Sequence, residues 1–275
     1  MSRSVDFLSR ASTSTSSAIA GPSRSTTLLP PSSSILITDT LQSPSLFLLT
    51  QFISRTLLRK QQTATADVKG KGKAPKVVLV GVREVEQEYT NVLKKQSVQL
   101  STEKTLGRFQ FIDGSEGDLT GIYSAIITAI SQTEQGQEEG TLIIIDDLSA
   151  LSWMGNELNK LSKFLLSLKK LCLSTRSTLV TVLHSDSVSP HPIVQDDSDQ
   201  YLFRKVLQSS DYWFELKSLV PQARGELSIH PGPSLTAASS TENDRLRTRV
   251  GKESLEYTLE ENGAVFEVKG LGKFI

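Results

Sequence analysis

The sequence predicts an α/β protein built on a mostly parallel sheet, with helices on both faces and antiparallel strands at the carboxyl end. Short apolar runs alternate with amphipathic segments of helical length along most of the chain, and strands joined this way need crossover connections, so they pair in parallel. The runs VVLV and LIII are continuous rather than alternating, as expected of strands covered on both faces. The last third carries LEYTLEE and AVFEVKG joined through Asn262-Gly263, a dipeptide that tolerates the positive φ of a tight hairpin turn.

The first strand is SILITD, Ser34 to Asp39, following Pro30 and Pro31. A helix from Ser45 to Arg59 comes next, with Leu48, Leu49, Phe52, Ile53, Leu57 and Leu58 near helical spacing, Ser43 as its N-cap and Pro44 in its first turn. The linker KGKGKAPK leads to a strand at Lys76 to Val82 and a helix through about Lys95. The alternation repeats with a strand at Arg108 to Gly114, a helix from Leu119 to Ser131 and a strand at Thr141 to Leu148. After a loop at Gly155, a helix from Asn156 to Ser174 sets Leu158, Leu161, Phe164, Leu165, Leu168 and Leu171 on one face. That stripe reads as core rather than as a partner groove. STLVTVLH is the next strand, and a helix around Tyr201 to Gln208 precedes DYWFELKSL, GELSIHPG and the terminal hairpin.

This order predicts one domain over residues 34–275, with mobile loops near 61–75, 186–200 and 231–244. Residues 1–33 form a Ser/Thr-rich segment read as a flexible tail. Its composition, with Arg3, Arg10 and Arg24 against Asp6, also resembles a transit peptide. The chain holds 30 basic and 30 acidic residues, so no global field draws in nucleic acid or anionic membrane, and any such binding is local. Cys172 is the only cysteine, which excludes an intrachain disulfide or a cysteine-built metal site and suits a reducing compartment. The apolar runs are too short to span a bilayer, for which roughly 20 residues are needed.

The sharpest chemical feature is IIIDD, an apolar strand ending at Asp146 and Asp147. In P-loop enzymes an acid at such a strand end helps hold magnesium. The other reading is that these aspartates solvate the strand end or cap a turn. A phosphate loop should follow the first strand, because glycine N–H groups at a helix amino terminus wrap phosphates closely. Thr38 to Ser45 reads TDTLQSPS, without glycine or lysine, and Pro44 removes a donor. Triphosphate binding through that cradle is therefore not expected from this chain alone, and no cofactor is expected. His184, His191 and His230 lie in separate segments without metal-ligand spacing, and His184-Ser185-Asp186 reads as a polar loop after a strand. Phosphate contacts, if present, are placed on two basic loops: Lys69, Lys71, Lys73 and Lys76, and Arg245, Arg247, Arg249 and Lys252. Solvated loop charge is the alternative.

IIIDDLSALSWMG up to Gly155, VTVLHSDS at Val180 to Ser187, the closing FEVKGLGKFI and the opening VDFLSR together resemble the Elongator complex protein 6 family, RecA-like subunits lacking the Walker sequences. The resemblance implies a non-catalytic subunit of a hetero-hexameric ring with Elongator complex proteins 4 and 5, accessory to the Elongator catalytic subcomplex. That complex modifies C5 of the wobble uridine in tRNA, and the ring binds tRNA and helps its release. The resemblance weakens the transit-peptide reading, and with the reducing compartment that the cysteine usage suits, the expected location is cytoplasm and nucleus. Rival expectations are an interface ATPase in which Asp146 or Asp147 assists magnesium, a recombination mediator on single-stranded DNA, and an α/β hydrolase-like enzyme, which the absent nucleophile elbow disfavours.

Overall fold

A computed structural model describes residues 29–58, 76–131, 140–186, 197–219, 223–235, 254–261 and 263–268. The strands are β1 (Ser34–Asp39), β2 (Val77–Gly81), β3 (Phe109–Asp113), β4 (Leu142–Ile145), β5 (Thr178–His184), β6 (Tyr212–Leu219), β7 (Arg224–Pro231), β8 (Leu255–Glu260) and β9 (Gly263–Val268). The helices are α1 (Leu46–Leu58), α2 (Glu86–Lys95), α3 (Leu100–Thr105), α4 (Leu119–Ser131), α5 (Leu148–Trp153), α6 (Leu158–Thr175) and α7 (Asp197–Ser209). The strands form one sheet in the order β3-β2-β4-β5-β1-β6-β7-β8-β9. Pairing is parallel from β3 across to β6 and antiparallel from β6 to β9.

The continuous apolar runs occupy the centre of this sheet because they serve two cores at once. In β1, Ile35 and Ile37 pack with α1 and α2 on one face, while Leu36 packs with the opposite layer. Val78 and Val80 of β2 and Ile143 and Ile145 of β4 point into that second layer, against Ile122 and Ile126 of α4 and Leu161, Leu165 and Leu168 of α6. Each such fully buried side chain contributes about 1.5–3 kcal/mol relative to leaving it in water. Helix α1 reaches past the parallel strands, with Phe52 edge-on to Phe214 at 6.1 Å and Phe47 4.6 Å from Tyr257. One helix thereby ties the antiparallel strands to the parallel ones. Leu29, ahead of β1, already belongs to this core.

Several local expectations are corrected. Ser43 does not cap α1: its hydroxyl bonds the Tyr257 hydroxyl, and the first helical N–H groups, of Leu48 and Leu49, reach the Ser45 carbonyl at 2.9 and 3.0 Å. Helix α7 begins at Asp197, inside the stretch read as a 186–200 loop. Helices α3 and α5, of six residues each, were not foreseen, being too short for periodicity to show. Gly263, expected in the hairpin turn, pairs with Glu260 as the first residue of β9, at φ +140°. The stretch read as a 61–75 loop, most of the 231–244 loop and the tail as far as residue 28 lie outside the described residues.

Candidate functional site

Parallel strands present their carboxyl ends on one edge, where ligands of open α/β sheets bind. Pairing of β1 with β5 places Asp39 opposite His184. The β4 end contributes Asp146 and Asp147, and the turn after β2 contributes Arg83. These groups meet in one crevice. His184 Nδ1 lies 2.7 Å from Asp39 Oδ1, and its Nε2 lies 3.0 Å from Asp147 Oδ2. Arg83 Nη1 donates to Asp39 Oδ2 at 3.2 Å and sits 3.0 Å from His184 Nε2. The Trp153 ring stacks on the imidazole, with centroids 5.8 Å apart and an interplanar angle of 10°. Its indole N–H donates to Asp199 at 3.2 Å.

The aspartates are wholly enclosed: Asp39 and Asp146 are 0% exposed and Asp147 is 1% exposed. Enclosed carboxylates persist only when other groups replace the lost water; here hydrogen-bond donors and the ion pairs to His184 do so. Asp39 Oδ2 accepts the Ser45 N–H at 2.8 Å, at the amino terminus of α1. Asp146 accepts the N–H groups of Val82 at 2.6 Å, Arg83 at 3.2 Å and Glu84 at 3.1 Å, together with the Tyr89 hydroxyl at 3.1 Å. It thereby clamps the turn between β2 and α2. Asp147 Oδ1 accepts the Ala150 N–H at 3.0 Å and caps α5.

Charge states follow from these contacts. Hydrogen bonds to Asp147 and then to Asp39 lift His184 to about 10 despite burial, so it is an imidazolium at neutral pH. Burial pushes Asp39 up, but the His184 bond and the charges of Arg83 and His184 outweigh it and hold the carboxyl below its usual range. For Asp146 burial prevails over the backbone N–H bonds, and the carboxyl is raised. Burial and the neighbouring Asp146 push the Tyr89 phenol well up. Burial favours the neutral form of Arg83, yet Asp39 and Asp147 outweigh it and hold the guanidinium charged.

A nucleoside triphosphate with its magnesium does not fit these residues. The loop after β1 closes on itself, with Thr40 and Ser43 exchanging backbone hydrogen bonds of 3.3 and 3.0 Å. The N–H of Ser45 is already held by Asp39, and Asp146 and Asp147 are saturated by protein donors. Loop and strand 5 are stitched together as well: Ser185 N–H donates to the Asp39 carbonyl at 2.7 Å, and Leu41 N–H donates to Asp186 Oδ2 at 2.6 Å.

Of the residues singled out from sequence, Asp146 and Asp147 lie in this crevice, where Asp147 caps α5 and Asp146 holds the turn after β2. His184, read as part of a polar loop, is instead its centre. Asp39 and Arg83 were not singled out. Asp39 stands at an apolar run's end, as Asp146 does, and that position was the available signal. Lys76 is withdrawn from the basic candidates: it is 7% exposed and its ammonium donates to the Ala129 carbonyl. Burial lowers its pKa. Lys69, Lys71, Lys73, Arg245, Arg247, Arg249 and Lys252 lie outside the described residues. Among the described residues no helix is long and apolar enough to cross a membrane.

The profile of the Elongator subunit Iki1 family matches residues 27–269. No curated protein is similar enough to match. Among solved structures, a KaiC-like protein from the hyperthermophilic archaeon Pyrococcus horikoshii superposes with a TM-score of 0.57 at 12% identity, over 87% of this chain and 91% of that one. At that identity the likeness shows the fold, which is RecA-like.

Proposed function

Because this chain belongs to the Elongator subunit Iki1 family and is an Elongator subunit of RecA-like fold, we propose that it serves the complex without catalysing a reaction itself. In this reading it joins sibling RecA-like Elongator subunits in a hetero-hexameric accessory ring in the cytoplasm and nucleus. The ring binds and releases tRNA whose wobble uridine is modified at C5 by the catalytic subcomplex. The observation that carries the non-catalytic role is the crevice at the strand ends, where Asp39, Asp146 and Asp147 are spent on protein donors. Lys69, Lys71, Lys73, Arg245, Arg247 and Arg249 are the proposed tRNA phosphate contacts, since basic clusters confer sequence-independent, salt-sensitive affinity.

The test is purification of the chain with its partners from its native cell, joined to wobble-uridine analysis after deletion. Co-purifying RecA-like Elongator subunits and loss of the C5 modification are expected. Recombination or repair partners with normally modified tRNA would overturn the reading. In the reconstituted assembly, replacing the six basic residues by alanine should weaken tRNA binding and flatten its salt dependence, and an unchanged salt slope would remove them as contacts.

A further inference from the structure

Helix α6 packs Leu161, Phe164, Leu165, Leu168 and Cys172 into the second core, and its opposite side carries a separate pattern. Lys163, Leu166, Lys170 and Leu173 follow one another at intervals of three and four residues, so they form one stripe along the solvent side. Leu166 is 62% exposed and Leu173 is 56% exposed. The helix holds four lysines and no acid. Lys160 pairs with Glu157 at 3.2 Å, and Lys169 donates to the Ser209 carbonyl and the Ser234 hydroxyl. Among the described residues, Lys163 and Lys170 have no ion-pair partner. Neighbouring α4, whose Tyr123 lies edge-on to Phe164 at 6.5 Å, contains no charged residue. Single exposed leucines are ordinary on a soluble protein. Two in register, set between unpaired lysines and beside a helix without charge, make a patterned face.

We propose that the outer face of α6 is a docking surface for an amphipathic helix of another protein, one whose apolar edge is flanked by aspartate and glutamate. The spacing of three and four makes the stripe a ridge of the kind that fits the groove of a second helix. Its leucines meet the partner's apolar edge and its lysines meet the flanking acids. Charge complementarity selects that partner: α6 offers cations only, and α4 offers no charge to oppose an acid. A nucleic acid suits the face less well. Surfaces that follow a phosphate chain interleave their cations with stacking aromatic or guanidinium groups, whereas the interleaved groups here are leucines. Burying them gives affinity to a peptide and none to a phosphate. The docking face is independent of the accessory role proposed above.

The experiment is carbodiimide crosslinking of the complex purified with this chain from its native cell, read by mass spectrometry. The reagent joins a lysine amine directly to a carboxylate in contact with it. Lys163 and Lys170 should be linked to aspartate or glutamate in one segment of another protein, where apolar residues recur at three- and four-residue spacing. Leu166→Ser combined with Leu173→Ser should lower the yield of those links roughly tenfold or more. The same pair should leave the Tm of the full-length chain within about 2 °C of wild type, since both side chains are more than half exposed. Leu106→Ser, at a comparably exposed leucine after α3, should leave the yield unchanged, and an equal fall there would overturn the proposal. So would links from Lys163 or Lys170 to carboxylates of this chain alone, which would make one of its own segments the occupant. Full reaction of both lysines with an acylating reagent in the intact complex would show an uncovered face. Protection without carboxylate links, abolished by ribonuclease if RNA is the cover, would show a different occupant. Either result overturns the docked helix. Links of the expected kind to a protein outside Elongator would support the face and overturn the Elongator role.

Discussion

In β1, β2, β4 and β5 every residue is buried, whereas along β6 and β7 buried positions alternate with partly exposed ones. The difference decides where each half of the sheet keeps its charge. Parallel strands covered on both faces have no solvent side, so their polar groups gather at strand ends and must satisfy one another. Asp39, Arg83, Asp147 and His184 do so within about one hydrogen-bond length. The antiparallel strands turn one face to water, and their charges pair loosely on it, as Lys217 with Glu215 at 3.0 Å and Arg224 with Glu256 at 3.6 Å. The first arrangement is intolerant of single changes because each removal strands a buried partner. The second is tolerant because water takes the partner's place.

Asp39→Ala should have the largest effect. It leaves the Arg83 and His184 charges buried without their shared anion, a loss of about 3–5 kcal/mol in denaturant unfolding at neutral pH. A loss below about 1 kcal/mol would mean that the parallel half holds its charge as loosely as the antiparallel half. Ile144→Ala, at the centre of β4 and 0% exposed, should cost about 2–5 kcal/mol through lost burial and a cavity. The same denaturant series measures it.

His184 sharpens the contrast through pH. Its folded pKa of about 10 lies above the ordinary histidine value of 6.5. The stability it contributes is therefore fully present below about 6.5 and lost as pH rises through about 10. Asp39, held low, contributes stability that is present above its unfolded pKa and lost on acidification. Wild type should weaken from pH 6.5 toward 10, and His184→Gln should be less stable at pH 6 with a gap that closes on the alkaline side. Parallel stability profiles of the two proteins would show no closing gap if the imidazole were neutral. The smallest effect is expected at Glu256→Gln on the open antiparallel face, where the ion pair to Arg224 is exposed and worth at most about 1 kcal/mol. A larger loss would place that face among the intolerant regions.

Legibility follows the same division. Helix α4 occupies Leu119–Ser131, the bounds expected from its pattern, and the buried strands coincide with the continuous apolar runs. Helix α5 escaped notice because six residues show no period. Its cap, Asp147, was nonetheless visible as an acid at a strand end. His184 was read as loop polarity because its partners are remote in sequence: Asp39 lies 145 residues away and Asp147 lies 37.

Sequence alone determined the alternation of strands and helices, the antiparallel close and the absence of a glycine–lysine phosphate loop. Each depends on local patterns, since side-chain period and turn chemistry are set by neighbouring residues. Tertiary structure alone decided that β5 lies beside β1, with Asp39 opposite His184. Strand order results from the packing of whole helices on a shared sheet. An aspartate at a strand end therefore becomes the anion of a buried network only once its neighbouring strand has been chosen.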